Sequence, residues 1–276
     1  MHRSEPASAA PPGVLVVGHG TADRVGVEEA RQTARLVAAR LPGTAVELGF
    51  LELVAPTIAA AVERLAARGC REVVAAPLLL FRAGHARRDL PEALAAAAGR
   101  HGLAVRQAEP LGCHPAVVAA ARRRRAEAGV GREQPPAGTT RLVMFGRGSS
   151  DPRAVCHLCR LALAASGDEP LPLHLGFAAA ARPTLDEAID QACAVAGVRR
   201  VVVQPHLLFA GHVEGQVEAA VDRGRRLRPD VEWLRAARLG PDPLVAEAVV
   251  ARALEAAPEL QNALLRPANE TSPSPP

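Results

Sequence analysis

Lysine and tyrosine are missing from this 276-residue sequence, and aromatic side chains make up only 2% of it. Because lysine is absent, the chain has neither a Schiff-base amine nor the lysine of a phosphate-binding P-loop. The scarcity of aromatic residues and the modest formal net charge of +4 argue against a nucleic-acid-binding surface. We therefore expect no nucleic-acid partner.

Long apolar runs are absent as well. No segment approaches the roughly 20 apolar residues that a membrane-spanning helix needs, and the first ten residues lack the apolar core of a signal peptide. The five cysteines are an odd number in a chain too long to need disulfide bonds for stability. We expect a globular cytoplasmic protein with no membrane partner.

Strand-like and helix-like segments alternate through the first half of the chain. Strands separated by helices of ordinary length are joined by right-handed crossovers and form a parallel sheet. We predict an α/β fold with a parallel four-stranded sheet flanked by helices. The pattern predicts strands at 14–17, 45–51, 72–76 and 103–107, and helices at 28–40, 56–68, 91–100 and 115–127.

The second half repeats the first. Gly146-Arg147-Gly148 follows Gly18-His19-Gly20 by 128 residues, and Pro183-Thr184 follows Pro56-Thr57 by 127 residues. This spacing predicts a tandem duplication of one α/β unit. The predicted organisation is a disordered start at 1–12, a first domain with the active site at 13–128, a linker at 129–140, a degenerate repeat at 141–257 and a disordered tail at 258–276.

Three polar residues follow the first three predicted strands. His19, Glu52 and His85 are spaced 33 residues apart, and each lies just beyond a strand. Open parallel sheets bind ligands beyond the carboxyl ends of their strands, so we expect these side chains to meet at one edge. Neutral imidazole suits cobalt, nickel and iron(II), and a carboxylate accepts protons. The set predicts a catalytic metal site.

Three segments carry these residues, with the sequences GHGTADRVGVEE, FLELVAPTIAAAVERL and PLLLFRAGHARRDLPEAL. They resemble the motifs of the class II tetrapyrrole chelatases, specifically the sirohydrochlorin cobaltochelatases and ferrochelatases of cobalamin and siroheme biosynthesis. MFGRGSSDP and VVVQPHLLFAGH resemble the degenerate repeat of the long form of that family. The resemblance implies that His19 and His85 bind the metal, while Glu52 assists in metal binding or proton removal.

The resemblance also implies the substrates. They are sirohydrochlorin and a divalent metal ion, either cobalt, iron or nickel, with no organic cofactor and a monomeric chain that acts as a fused pseudo-dimer. The macrocycle carries many carboxylates, so we expect the arginines around His85 to bind them. The residues expected in the substrate site of the first half are Gly20, Thr21, Arg82, Gly84, Arg87 and Arg88.

The second half lacks the predicted ligands. Arg147 stands where the first half has His19, and Ala179 stands where it has Glu52. Arginine offers no lone pair to a metal, so this half is expected to form the other wall of the substrate cleft. Arg147 then either pairs with a substrate carboxylate or is solvated, and whether His212 reaches the first-half site stays open.

Other interpretations of the sequence remain open. The same pocket suits a non-catalytic carrier of a metal or a tetrapyrrole. A further alternative is a chelatase for a more apolar tetrapyrrole, but the arginines around His85 would then have no purpose. Cys156 and Cys159 have the spacing of a redox or metal motif but fall inside a predicted helix, and their role stays open. The arginine run 122–125 is predicted to be a solvated helix end.

Overall fold

Each half of the chain contains a four-stranded parallel sheet. The computed structural model describes residues 12–81, 86–129, 133, 135–166 and 171–261, without the side chains of residues 86 and 87. The first half comprises β1 (Gly13–Gly18), α1 (Arg24–Ala39), β2 (Val46–Phe50), α2 (Ile58–Ala67), β3 (Glu72–Pro77), α3 (Ala86–Gly99), β4 (Ala104–Gln107) and α4 (Pro115–Ala128).

The second half follows the same order of elements. It comprises β5 (Thr140–Gly146), α5 (Pro152–Ser166), β6 (Leu173–Phe177), α6 (Leu185–Cys193), β7 (Arg200–Pro205), α7 (Glu214–Leu227), β8 (Glu232–Arg235) and α8 (Pro243–Ala256). The sheet orders are β2-β1-β3-β4 and β6-β5-β7-β8, with all neighbouring strands parallel. The predicted fold class, two tandem parallel sheets related by duplication, is confirmed.

A layer of four helices joins the two sheets. One continuous apolar core contains residues of α1, α4, α5 and α8 together with residues from one face of each sheet. The opposite face of the first sheet is covered by α2 and α3, and that of the second by α6 and α7. Burial of apolar surface is the main favourable term in folding, so this shared core holds the halves together.

The last helix of each half packs on the other half. Helix α8 contacts α1 and β3 of the first half, and α4 contacts α5 of the second half. In addition, the Gln204 side chain in β7 donates a hydrogen bond to the Ala121 carbonyl of α4 at 2.6 Å. The halves have therefore exchanged their C-terminal helices.

The arginine run on α4 contributes to this contact between halves. Arg122 and Arg125 donate to carbonyl oxygens in the last turn of α5 at 2.7 and 2.6 Å, which satisfies acceptors at the negative end of that helix. Arg123 and Arg124 form ion pairs with Asp242, a fully buried carboxylate that also caps α8. The prediction of a solvated helix end is wrong, because the four side chains meet partners in the second half.

Three boundaries differ from the sequence expectation by more than two residues. Helix α1 begins at Arg24, four residues early, because Asp23 accepts hydrogen bonds from two backbone amides and caps it. Helix α3 begins at Ala86 and contains Pro91, the residue at which it was predicted to start. At the far end, Pro258–Leu260 forms a short 3-10 helix and Leu260 is buried, so order extends past residue 257. No helix among the described residues is long and apolar enough to cross a membrane.

We expect Asp242→Ala to lower the free energy of unfolding by about 2–4 kcal/mol, because it removes a helix cap and leaves two arginines without their buried partner. Thr57→Ala, which removes only the cap of α2, should cost about 1 kcal/mol. Urea unfolding of both variants measures the difference. Equal losses in the two variants would show that the ion pairs with α4 contribute nothing.

Candidate functional site

Two of the three predicted ligands lie side by side. His19 follows β1 and Glu52 follows β2, and the Glu52 amide donates a hydrogen bond to the His19 carbonyl at 3.1 Å. This bond continues the register of the two strands past their ends. The side chains meet as well, since His19 Nε2 lies 2.9 Å from Glu52 Oε1. The imidazole is 34% exposed and the carboxylate 53% exposed, so both are reachable from solvent.

The spacing of these two atoms suits a shared metal ion. Metal–nitrogen and metal–oxygen bonds are about 2.0–2.2 Å, so neighbouring ligand atoms at a right angle lie about 3 Å apart. Without a metal, the same two atoms form an ion pair when the imidazole is protonated. The pair can therefore hold a divalent cation or take up a proton.

The backbone around Glu52 is tightly constrained. A Cβ atom on Gly20, whose φ is 104°, would lie 2.0 Å from the Glu52 carbonyl oxygen. That oxygen also accepts a hydrogen bond from the Val54 amide at 2.8 Å. Gly20 was predicted to line the substrate site. It does line the cleft described below. However, the atom nearest to the position of its missing Cβ is this carbonyl oxygen, so only glycine fits here.

A cleft of about 740 Å³ opens beside His19 and Glu52. Its walls come from both halves of the chain, as expected for a second half that completes the site. Thr21 lines the cleft, and its hydroxyl also accepts a hydrogen bond from the Asp23 amide at 3.1 Å. Among the lining residues are His19, Gly20, Thr21, Glu52 and Leu53 from the first half and Arg147, Phe209, Gly211 and His212 from the second.

A partly buried ion-pair network holds the second wall against the first half. Glu29 of α1 accepts a hydrogen bond from the Ala210 amide at 2.8 Å and pairs with Arg238, which also pairs with Glu214 at 2.6 Å. The Glu29 carboxylate raises the pKa of Arg238. Helix α1 comes so close at Gly26 that a Cβ there would lie 2.2 Å from the Ala210 carbonyl oxygen.

Sequence reasoning did not single out Glu29. The available signal was a carboxylate on the apolar face of an amphipathic helix, since its helix neighbours Val27, Ala30 and Thr33 are all buried. A charge at such a position requires a partner, and here the partner comes from far along the chain.

Several predicted residues cannot be placed at the cleft. Arg82, Gly84 and His85 lie outside the described residues, as does the side chain of Arg87 in the first turn of α3. Arg88 is exposed in the same turn and is not among the described residues that line the cleft. Within the described ranges, no three His, Cys, Asp or Glu side chains are grouped to hold a metal ion. Exposed His212 therefore does not complete a three-ligand set with His19 and Glu52.

The family model CbiX matches this chain twice, at residues 13–128 and at residues 141–256. The chain belongs to the CbiX family. The resemblance to the sirohydrochlorin chelatases is thereby confirmed, and the two matches fall on the two copies of the duplicated unit.

Curated relatives and a solved structure agree with this membership. The chain is 30% identical to the sirohydrochlorin ferrochelatase of Bacillus subtilis (strain 168), over 79% of this chain and 82% of that protein. It is 27% identical to the sirohydrochlorin cobaltochelatase of Priestia megaterium, over 88% of this chain and 79% of that protein. SirB from Bacillus subtilis with Fe3+ superposes with a TM-score of 0.79 at 28% identity, covering 91% of this chain and 98% of that chain.

The second copy in this family member has a different interior beside the cleft. His206 follows β7 at the position that Leu78 occupies after β3, and it is buried with neither ring nitrogen hydrogen-bonded to a described residue. Its ring centroid lies 5.8 Å from that of His157 in α5. Burial, and secondarily the charge of His157, lowers the pKa of His206 to about 3. The folded protein therefore holds this imidazole neutral.

We expect this histidine to make stability depend on pH. In the unfolded chain its pKa is about 6.5, so between pH 6.5 and about 3 the unfolded state binds more protons and stability falls as pH falls. His206→Leu should flatten the slope by about 1.4 kcal/mol per pH unit and raise stability at neutral pH. Urea unfolding from pH 7 to pH 4 measures this. An unchanged slope in His206→Leu, or equal flattening in the exposed-site control His101→Leu, would contradict the assignment.

The close contact at Gly20 gives a second prediction. Gly20→Ala should lower the free energy of unfolding by about 3 kcal/mol, because the new methyl group collides with the Glu52 carbonyl in addition to the strain of a positive φ. Gly43→Ala is the matched control, with φ of 76° and nothing within 4 Å of its Cβ, and should cost about 1 kcal/mol. Equal losses of unfolding free energy in the two variants, measured by urea unfolding, would mean that the backbone near Glu52 moves to accommodate the methyl group.

Proposed function

We propose that this chain inserts cobalt(II) or iron(II) into sirohydrochlorin. The observation that carries the proposal is the 2.9 Å contact of His19 Nε2 with Glu52 Oε1 at the mouth of the cleft. Membership of the CbiX family and the names of the relatives, a ferrochelatase and a cobaltochelatase, support the same activity. The donor set also accommodates nickel(II).

Metal insertion makes two demands on the protein. The incoming ion has to exchange water for protein ligands that hold it weakly enough to pass it on, and the two pyrrole N–H protons have to leave the macrocycle. We assign metal binding to His19 and His85 with help from Glu52. We also assign Glu52, which is 53% exposed, as acceptor of the two pyrrole protons in turn, each of which it passes to solvent. Two imidazoles and one carboxylate leave coordination positions open for the ring nitrogens, which a closed four-ligand site does not.

The substrate is strongly anionic, which gives the second wall of the cleft a role. Arg147 is exposed there and offers a planar guanidinium that matches a carboxylate, so we assign it to a peripheral carboxylate of the macrocycle. We assign Gly20, Thr21 and His212 to the substrate site with it. Arg82, Arg87 and Arg88, near His85 in sequence, are proposed to attract further carboxylates.

The shared helical core supports a single-chain arrangement. Each half already has the other as its partner, so we propose that the protein works as a cytoplasmic monomer without an organic cofactor. The domains at 13–128 and 141–257 are then two cooperating parts of one unit.

Absorption spectroscopy with purified protein, sirohydrochlorin and cobalt(II), iron(II) or nickel(II) tests the activity. We expect the wild type to accelerate the spectral change of metal insertion over the protein-free rate with cobalt(II) or iron(II). Glu52→Gln should lower kcat about a hundredfold, because the amide accepts no proton, while sirohydrochlorin binding persists. His19→Ala should lower insertion at least as much.

His101→Ala is the matched control. This exposed histidine precedes β4 and so lies at the amino edge of the sheet, opposite the cleft, and its loss should leave the rate unchanged. Insertion by the wild type no faster than without protein, with all three metals, would reject the enzyme in favour of a carrier. Full activity of His19→Ala and Glu52→Gln would reject the site.

A further inference from the structure

Leu53 combines two unfavourable features at the cleft. Its φ is 67°, in the left-handed region that bulky residues avoid, and its side chain is 70% exposed. It directly follows Glu52 in sequence and lines the same cleft. An exposed apolar side chain on strained backbone is costly in the free protein, and such strain is concentrated at functional sites.

The backbone conformation has a purpose of its own. The Val54 amide donates to the Glu52 carbonyl across Leu53, which is the tight three-residue turn known as a γ-turn. This turn holds the Glu52 carbonyl against Gly20, and through it the carboxylate beside His19. Glycine would adopt the turn without strain, so the turn explains the φ angle of residue 53 but not the choice of leucine.

The duplication supplies a natural comparison. Ala180 occupies the equivalent position in the second half and has a similar left-handed φ of 54°. It follows Ala179 instead of a glutamate, and it is not among the described residues that line the cleft. A similar positive φ thus carries only a methyl group in the second half and an isobutyl group beside the proposed ligands in the first.

We propose that the Leu53 side chain packs against the apolar face of the tetrapyrrole ring and so positions the ring over His19 and Glu52. The inference rests on the proposed function and adds to it a residue that determines substrate affinity. The arginines hold the charged rim of the macrocycle, whereas Leu53 gains its hydrophobic contact only when the ring is bound. Its exposed surface in the free protein is then the surface that the substrate covers.

Steady-state insertion of cobalt(II) by wild type, Leu53→Gly, Leu53→Met and Ala180→Gly tests this role. Leu53→Gly should raise the KM for sirohydrochlorin about tenfold and leave the KM for cobalt(II) unchanged. Its melting temperature should stay equal or rise, since glycine relieves the strain. Leu53→Met should restore the affinity for sirohydrochlorin, and Ala180→Gly should leave both KM values at the wild-type level.

A KM for sirohydrochlorin within twofold of wild type in Leu53→Gly would overturn the inference. An equal rise of this KM in Ala180→Gly would overturn it as well. So would a loss confined to kcat in Leu53→Gly, because residue 53 would then act only through the backbone of Glu52. If the wild type inserts no metal, the proposed function fails on its own. In that case the binding of sirohydrochlorin without metal, measured by the change in its absorption, tests Leu53. The Kd of Leu53→Gly should then be about ten times that of the wild type.

Discussion

The packing of four helices between two sheets is the constraint on which the site depends. His19 and Glu52 belong to the first sheet, while Arg147 and His212 enter the same cleft from the second. The distance between these groups is set by how α1, α4, α5 and α8 pack, because close-packed interiors resist small displacements. The Glu29–Arg238 ion pair adds a polar contact to this apolar layer, at the loop that carries His212.

The duplication separates what the fold needs from what the chemistry needs. A Cβ atom on Gly20 or on its counterpart Gly148 would lie 2.0 Å from a backbone carbonyl oxygen. The tight loop is therefore retained in both halves. The side chains proposed to carry the reaction are not retained, since Ala179 stands in the second copy where the first has Glu52. The backbone geometry of the sheet edge is thus shared by both halves, whereas the proposed donor atoms of Glu52 are present only in the first half.

Much of this arrangement could be predicted from the sequence. Periodicity gives the strands and helices, and the meeting of His19 with Glu52 follows because parallel strands end at one edge. The partners of the arginines on α4 could not be predicted, because they depend on how the second half packs against α4: two arginines bond to α5 and the other two to Asp242. Glu29 could not be assigned a partner for the same reason, since Arg238 is 209 residues away in sequence. The start of α3 was misplaced because proline normally opens a helix, whereas Pro91 lies within this one.

The exchange of terminal helices bears on how such a chain arose. In an isolated half, α1 alone would remain on the sheet face that α8 also covers here, so a single-unit chain would bury that face fully only by pairing with a second copy. Joining two copies end to end made that pairing permanent and independent of concentration. One copy could then lose the residues proposed as metal donors, because the two halves no longer had to be identical.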